Sequence, residues 1–116
     1  MKVEVFENPS INRDYEIIHE NTEFTSVCPI TGIPDFGTII VKYIPNKSCL
    51  ELKSLKYYFF EFRNKGIFYE AVTNQILDDL VDSCHPKEME ITSQWKVRGG
   101  INSVIKVAYK DNGVKL

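Results

Sequence analysis

This 116-residue sequence has few cysteines, no long apolar segment and no marked excess of charge of either sign. Its three cysteines are Cys28, Cys49 and Cys84, a small odd number that argues against a secreted scaffold held by disulfides. No segment approaches the roughly 18 consecutive apolar residues of a membrane span, and acidic residues stand where a signal peptide is apolar. We therefore expect a cytoplasmic protein with no membrane association.

The charge is nearly balanced, with 14 Lys and Arg against 16 Asp and Glu. Domains that bind nucleic acid usually have a pI above about 9, so this balance argues against direct nucleic-acid binding. The composition is 43% apolar and 26% charged, which is typical of a globular domain. Without internal repeats or Gly/Ser-rich linkers, the chain is expected to form one domain over residues 1–116.

Four segments have the composition or alternation of β-strands. They span residues 15–28, 36–44, 88–97 and 101–109. The first strand is expected to kink at the polar pair Glu20-Asn21. Between the first two strands, Pro29, Gly32 and Pro34 predict an irregular loop, with Cys28 at one end and Asp35 at the other.

The middle of the chain has helical periodicity, although aromatic residues leave a strand possible for its first part. Apolar residues at spacings of three and four predict two helices. The first set is Leu52, Leu55, Phe59 and Phe62, and the second is Ala71, Val72, Ile76, Leu77, Leu80 and Val81. The first helix is expected to end at residues 63–66 and the second before Pro86.

The resulting order is ββααββ. It predicts an α+β fold with an antiparallel four-stranded sheet and both helices on one face. The other face of that sheet would be uncovered in a monomer, so we expect another subunit to cover it.

Cys28 is the first candidate for chemistry. A free thiol is only a few per cent thiolate at neutral pH but is intrinsically very nucleophilic, and a carboxyl group such as Asp35 beside it could exchange a proton. The commoner reading of the same residues is a buried structural cysteine next to a turn-forming aspartate. The spacing alone does not decide between these readings.

A structural zinc site is not expected, because His19 and His85 are not paired with cysteines at the ligand spacings that zinc sites use. Cys49 and Cys84 are interpreted as small apolar core residues, with Cys49 expected to be partly exposed beside the loop at residues 46–48.

Three basic residues could hold a phosphate group. Lys53 and Lys56 share a helix face, and Arg98 precedes Gly99-Gly100, where the backbone permits close approach. The alternative is a solvated helix face and a surface turn, which is commoner. The sequence has no Gly-x-Gly-x-x-Gly motif, so spacing alone proposes no dinucleotide.

Glu70 follows Phe68-Tyr69 at the start of the second predicted helix. A carboxylate there can simply stabilise the helix N-terminus. It can alternatively accept two hydrogen bonds from the amidine-like edge of a base such as guanine, with aromatic neighbours stacking on the ring. Both readings remain open from the pattern alone.

Several motifs together resemble one family, the QueF family of NADPH-dependent nitrile reductases in queuosine biosynthesis. The run FTSVCPITGIPDF at residues 24–36 is similar to its active-site signature, and ELKSLKYY at 51–58 resembles its nicotinamide-cofactor motif. Phe62-Arg63-Asn64, Phe68-x-Glu70 and Arg98-Gly99-Gly100-Ile101 follow in the family's order. The resemblance covers about residues 10–105 and matches the short, single-module form.

The resemblance implies a tunnelling fold, whose ββααββ units assemble into rings with active sites between subunits. It implies the reduction of 7-cyano-7-deazaguanine to 7-aminomethyl-7-deazaguanine with two NADPH. By carry-over, Cys28 attacks the nitrile to form a thioimide and Asp35 supplies protons. The expected substrate-binding residues are Leu50, Glu51, Leu52, Tyr69 and Glu70, and the expected cofactor-binding residues are Lys53, Lys56 and Arg98.

Two positions depart from the family pattern. Tyr69 stands where His is usual, and the tyrosine pKa of about 10 suits substrate binding better than proton transfer at neutral pH. Leu52 stands where Ser is common, which matters little if only the backbone contacts substrate.

Two alternatives to the reductase are weighed. One is the QueF-like amidinotransferase, which attacks the same nitrile in tRNA without a reductant but lacks the Glu-x-Lys-x-x-Lys motif. The other is a non-catalytic tunnelling-fold module that binds a purine or pterin. The presence of both Cys28 and Asp35 in their motif argues against this alternative.

Overall fold

The computed structural model describes residues 3–111, so the ends of the expected 1–116 domain lie outside the described residues. Six strands and two helices make up the described chain. In chain order they are β1 (Val5–Glu7), β2 (Ile17–Val27), β3 (Pro34–Ile44), β4 (Ser48–Leu50), α1 (Leu52–Phe60), α2 (Tyr69–Cys84), β5 (Glu88–Arg98) and β6 (Ile101–Lys110).

Four strands form the antiparallel sheet that the sequence predicts, in the order β2-β3-β5-β6. Val41 of β3 pairs with His19 on one side and with Ile91 on the other. The kink expected in β2 is present as a register shift between Asn21 and Phe24. Strand β3 begins earlier than expected, so Asp35 lies within the strand and pairs with Ser26 instead of ending the loop.

The middle segments are helical, which excludes the strand alternative. Helix α1 ends at Phe60, before the end expected at residues 63–66, and the chain continues in a tighter turn in which Phe62 N donates to Phe59 O. Leu52, expected on the buried stripe, is 60% exposed, and Tyr58 is buried instead. Helix α2 ends as predicted, at His85 with φ of 46°, just before Pro86.

Both helices pack on one face of the sheet, as predicted. Side chains of β3 alternate, with Ile39, Val41 and Tyr43 buried against the helices. The opposite face is open and exposes Ile18, Phe36 and Val104.

A second, two-stranded sheet was not predicted. Strand β1 pairs with β4, with Phe6 opposite Cys49. The expectation that Cys49 is partly exposed is wrong, because this pairing leaves its side chain buried, with the Tyr15 hydroxyl 3.8 Å from its sulfur. Neither helix within residues 3–111 is long and apolar enough to cross a membrane.

Candidate active site

Cys28 lies at the exit of β2, in a tight loop that folds back over its side chain. Cys28 N donates to Ile33 O and Gly32 N donates to Cys28 O, both at 2.9 Å. Gly32 has φ of +73°, a conformation that a residue with a side chain adopts only at a cost. The closed loop brings backbone N–H groups to the thiol, which is only 9% exposed.

The loop makes Cys28 more acidic than an ordinary thiol. The Thr31 hydroxyl donates to the sulfur, and the N–H groups of Thr31 and Ile30 and the Arg98 guanidinium add to this effect. Together these donors outweigh partial burial and lower the pKa of Cys28 to about 7. About half of the Cys28 side chains are therefore thiolate at neutral pH, which is the nucleophilic form.

Asp35 lies beside Cys28 and is held by two donors. Its Oδ1 accepts from Arg98 Nη1 at 2.8 Å and from the Tyr69 hydroxyl at 3.2 Å. Arg98 reaches this carboxylate from the end of β5, and Tyr69 from the first turn of α2. Two other elements thus converge on the β3 carboxylate that the sequence paired with Cys28.

The ring of Tyr69 is held by stacking on Trp95, with ring centroids 4.0 Å apart and planes 9° from parallel. Beneath the stack, Trp95 Nε1 donates to Ser93 Oγ at 3.0 Å, and Ser93 Oγ lies 2.6 Å from Thr73 Oγ1. Thr73 in turn donates to Tyr69 O at 2.7 Å. This buried chain fixes the orientation of Tyr69, whose pKa is raised, mainly by burial.

Glu70 is placed at the same site by the segment that precedes α2. Val27 N donates to Lys65 O and Ile67 N to Val27 O, both at 3.0 Å, so this segment runs along the end of β2. The helix therefore begins beside Cys28. A cavity of about 140 Å³ results, lined by Cys28, Pro29, Asp35, Ile67, Phe68, Tyr69, Glu70 and Arg98.

Five predicted site residues therefore meet in one cavity, namely Cys28, Asp35, Tyr69, Glu70 and Arg98. Leu50, Glu51 and Leu52 do not line it within the described protomer. Glu51 instead caps α1: its carboxylate accepts from Lys53 N at 2.7 Å and Ser54 N at 2.9 Å, which lowers the pKa of Glu51.

Lys53 and Lys56 line a second, larger groove of about 570 Å³ between α1 and the bulge of β2. Apolar side chains of Leu52, Leu55, Phe59 and Phe60 form part of its wall. The acidic Glu20 and Glu23 also line it, so the groove combines cationic, apolar and acidic side chains. Arg98 lines the Cys28 cavity and not this groove.

Sequence reasoning missed the residues that support the site, including Thr31, Thr73, Ser93 and Trp95. Thr31 lies within the loop motif at residues 24–36. The sequence shows its position but not the contact of its hydroxyl with the thiol. Thr73 is four residues beyond Tyr69 on α2, and Trp95 is the only tryptophan in the sequence. Their partners come from different elements, which spacing along the chain does not reveal.

Comparison with known proteins adds a family and a set of relatives. A family model described as QueF-like protein matches residues 34–113. A curated NADPH-dependent 7-cyano-7-deazaguanine reductase from Chloroherpeton thalassium is 65% identical over 108 residues, covering 93% of each chain. The reductase of the same name from Chlorobaculum tepidum is 62% identical over 107 residues, covering 92% of each.

A solved structure shares the fold. The apo crystal structure of an archaeosine synthase described as QueF-Like superposes with a TM-score of 0.74 at 21% identity, covering 93% of this chain and 99% of that one.

Proposed function

This chain belongs to the QueF family, and we propose that it is an NADPH-dependent 7-cyano-7-deazaguanine reductase that forms a covalent intermediate at Cys28. Relatives that are 58–65% identical over most of its length carry that activity in their names. The single observation that carries the covalent step is the Cys28 thiol, with its pKa of about 7, facing the same cavity as Asp35.

Covalent catalysis suits this reaction because a nitrile is a poor acceptor of hydride, whereas a protonated thioimide is a better one. The Cys28 sulfur adds to the nitrile carbon, forming a C–S bond, and Asp35 relays a proton to the nitrile nitrogen: that of the Cys28 thiol or, where Cys28 is already thiolate, one from solvent. NADPH supplies hydride, one from each of two molecules. The C–S bond breaks after the first reduction and returns the thiolate, and two hydrides and two protons in all convert nitrile to aminomethyl.

Glu70 is the residue we assign to recognition of the base. Its carboxylate opens into the Cys28 cavity beside exposed Phe68. A carboxylate can accept two parallel hydrogen bonds from the edge of a deazaguanine, and an aromatic ring can stack on its face. Tyr69 lies between Glu70 and Asp35, where its hydroxyl can contact substrate as well as the carboxylate.

Lys53 and Lys56 are assigned to the phosphates of NADPH in the groove beside α1. Arg98 retains N–H donors beyond its bond to Asp35, and its side chain is 48% exposed, so it can also contact a phosphate from the Cys28 side. The reductant would therefore extend between the groove and the cavity.

Some predicted substrate-binding residues do not line the Cys28 cavity of a single protomer. Assembly of several copies would bring them to the substrate. The Cys28 cavity, at about 140 Å³, is well below the roughly 300–1,000 Å³ of usual ligand pockets. Phe68 in its lining and Ile30 and Ile33 in the loop after Cys28 are exposed apolar side chains. We infer a homo-oligomer in which a neighbour closes the cavity, with Leu50, Glu51 and Leu52 reaching substrate across the interface.

The free base, not nucleic acid, is inferred as substrate, since the chain carries a net charge of −2. The cytoplasm is inferred as its compartment, because a catalytic thiol must stay reduced.

The test is to mix the protein with 7-cyano-7-deazaguanine without NADPH and record the thioimide by absorbance and intact mass. We expect an adduct that Cys28→Ala abolishes, and oxidation of two NADPH per substrate once NADPH is added. The buried Cys84, changed to Ala, is the matched control and should retain the adduct.

Adduct formation without any NADPH oxidation would contradict the reductase and favour a transferase. Absence of an adduct in the wild type would favour a binding module.

A further inference from the structure

Arg98 is positioned to act on Cys28 and Asp35 as well as on a cofactor. It ends β5, and the turn that follows has Gly99 at φ +56° and Gly100 at φ +79°. Its guanidinium folds back, with Nη1 2.8 Å from Asp35 Oδ1, and Arg98 lines the same cavity as Cys28 and Tyr69. One side chain therefore connects the nucleophile, the acid and the residue at the family's usual histidine position.

We propose that Arg98 is a positioning residue for the covalent step: its guanidinium holds Cys28 as thiolate beside the Asp35 carboxylate before NADPH binds. This inference rests on the proposed function and extends it, since the sequence assigned Arg98 only to cofactor phosphate. It places the main effect of Arg98 in adduct formation instead of in the affinity for NADPH.

The charges around the cavity explain why such a cation is needed. Cys28, Asp35, Tyr69 and Glu70 are the titratable groups that line the cavity together with Arg98. Two anions this close raise each other's pKa unless a cation lies between them. Among the described residues lining the cavity, Arg98 is the only cation, so it alone offsets the charge of a thiolate next to an aspartate.

Burial makes this ion pair different from an ordinary surface pair. Exposed pairs contribute little because water screens both partners, but the Asp35 side chain is only 4% exposed. Removing the guanidinium would leave a carboxylate that water does not solvate well, beside a thiol that must also ionise.

The geometry also requires arginine and not merely a positive charge. Guanidinium has five N–H donors in a planar fork, so it can hold Asp35 and still direct donors towards Cys28 and Tyr69 on the same cavity. The ammonium of a lysine is a point charge on a flexible stem, which would keep the charge but not the planar fork.

The first experiment measures alkylation of Cys28 by iodoacetamide against pH, without nitrile or NADPH, with the labelled peptide quantified by mass spectrometry. For Arg98→Gln we expect the midpoint to move above the wild-type value and the rate at pH 6 to fall about threefold or more. Arg98→Lys should fall between the two. Arg13→Gln, the same change at an exposed arginine in the 8–14 segment, is the matched control and should follow the wild-type profile.

An unchanged pH profile in Arg98→Gln overturns the inference. Trp95 fluorescence and circular dichroism establish that each variant is folded, so that a lost site is not mistaken for a lost fold.

The second experiment measures the rate of adduct formation with the nitrile, again without NADPH. Slower formation in Arg98→Gln supports the inference, and an unchanged rate with only the KM for NADPH raised overturns it. If the wild type forms no adduct while alkylation still depends on Arg98, the proposed function fails and the role of Arg98 in ionising Cys28 stands.

Discussion

Cys28 gains its acidity from donors that its own loop supplies. The Thr31 hydroxyl makes the largest contribution, followed by backbone N–H groups of Thr31 and Ile30. Thr31 Oγ1 also accepts from Ile33 N at 3.2 Å, so the same hydroxyl orders the loop and stabilises the thiolate. A six-residue segment therefore provides both the nucleophile and most of its activation, and the rest arrives with Arg98 from β5.

We expect Thr31→Val to raise the pKa of Cys28, because the thiolate loses its strongest donor. The thiolate is the reactive form, so the rate of adduct formation in the wild type should reach a plateau above the Cys28 pKa of about 7. Well below that pKa, the rate should fall about tenfold for each pH unit. At pH 6 the variant should react about tenfold more slowly. Thr31→Ser keeps the hydroxyl and should restore the profile; identical profiles for Thr31→Val and wild type would assign the acidity to the backbone N–H groups and Arg98.

Lys53→Ala should raise the KM for NADPH by about tenfold or more, because a charge-assisted contact to phosphate contributes roughly 1.5–3 kcal/mol. Steady-state kinetics at saturating nitrile measure this. Lys47→Ala, at an exposed lysine outside the groove, is the control. A larger effect on adduct formation than on KM would place Lys53 at the substrate instead.

Residue identities at the site were predictable from the sequence, but their contacts were not. Cys28, Asp35 and Glu70 are recognised from motifs and do share a cavity. Arg98 was predicted with Lys53 and Lys56 from its charge, the two glycines that follow it and the family resemblance. In the structure it reaches Asp35, and the direction of a side chain before a glycine turn is not encoded in spacing.

At the scale of elements, the site depends on how β3 and β5 pack under α2. Gly37 pairs with Trp95, and a Cβ at Gly37 would lie 2.8 Å from both Gln94 O and Trp95 Cε3. The missing side chain gives the indole room to lie flat beneath Tyr69. The stack that orients Tyr69 therefore starts from a glycine on a neighbouring strand.

Gly37→Ala should displace Trp95 and lower the free energy of unfolding by about 1–3 kcal/mol, since neither backbone nor a buried indole gives way cheaply. Urea denaturation followed by Trp95 fluorescence measures the loss, and slower adduct formation should accompany it. In Gly66→Ala the new Cβ would be 3.5 Å from Pro29 Cα, an ordinary contact, so this matched variant should remain near wild type. Equal losses in both would mean that the clash at Gly37 is not responsible.

The main elements were predictable because each has a periodic pattern long enough to recognise. The four long strands, the kink in β2 and helix α2 were predicted to within about two residues, whereas α1 ends earlier than expected. Strands β1 and β4 are three residues each, too short to show alternation, and exist because they pair with each other. Their pairing is also what buries Cys49.

At the scale of the whole molecule, the open sheet face is the surface that we propose as a contact between copies. Ile18, Phe36 and Val104 are exposed on it, on three different strands. The proposal follows from the element order, which leaves this face without a covering layer. The element order predicts that one sheet face is open. Identifying the side chains on that face requires the pairing register of the strands, which the structure provides.

Val104→Glu should weaken assembly by about a hundredfold, because a carboxylate would be buried at the interface without a partner. Analytical ultracentrifugation measures this. Reductase activity should fall with the oligomer, while alkylation of Cys28 persists. Ile11→Glu introduces the same charge at a similarly exposed position, 54% against 58%, in the 8–14 segment and is the control. Dissociation by Ile11→Glu alone would place the interface away from the sheet.

The thiol cavity and the lysine groove have different lining residues throughout the described chain. This separation has an evolutionary consequence. Under the proposed assignment of NADPH to the groove, substitutions that abolish reductant binding can accumulate along α1 without touching the loop of Cys28 or the start of α2. A gene duplicate could therefore retain capture of a nitrile while delivering the captured carbon to a different acceptor, so a change of reaction type requires no change of nucleophile.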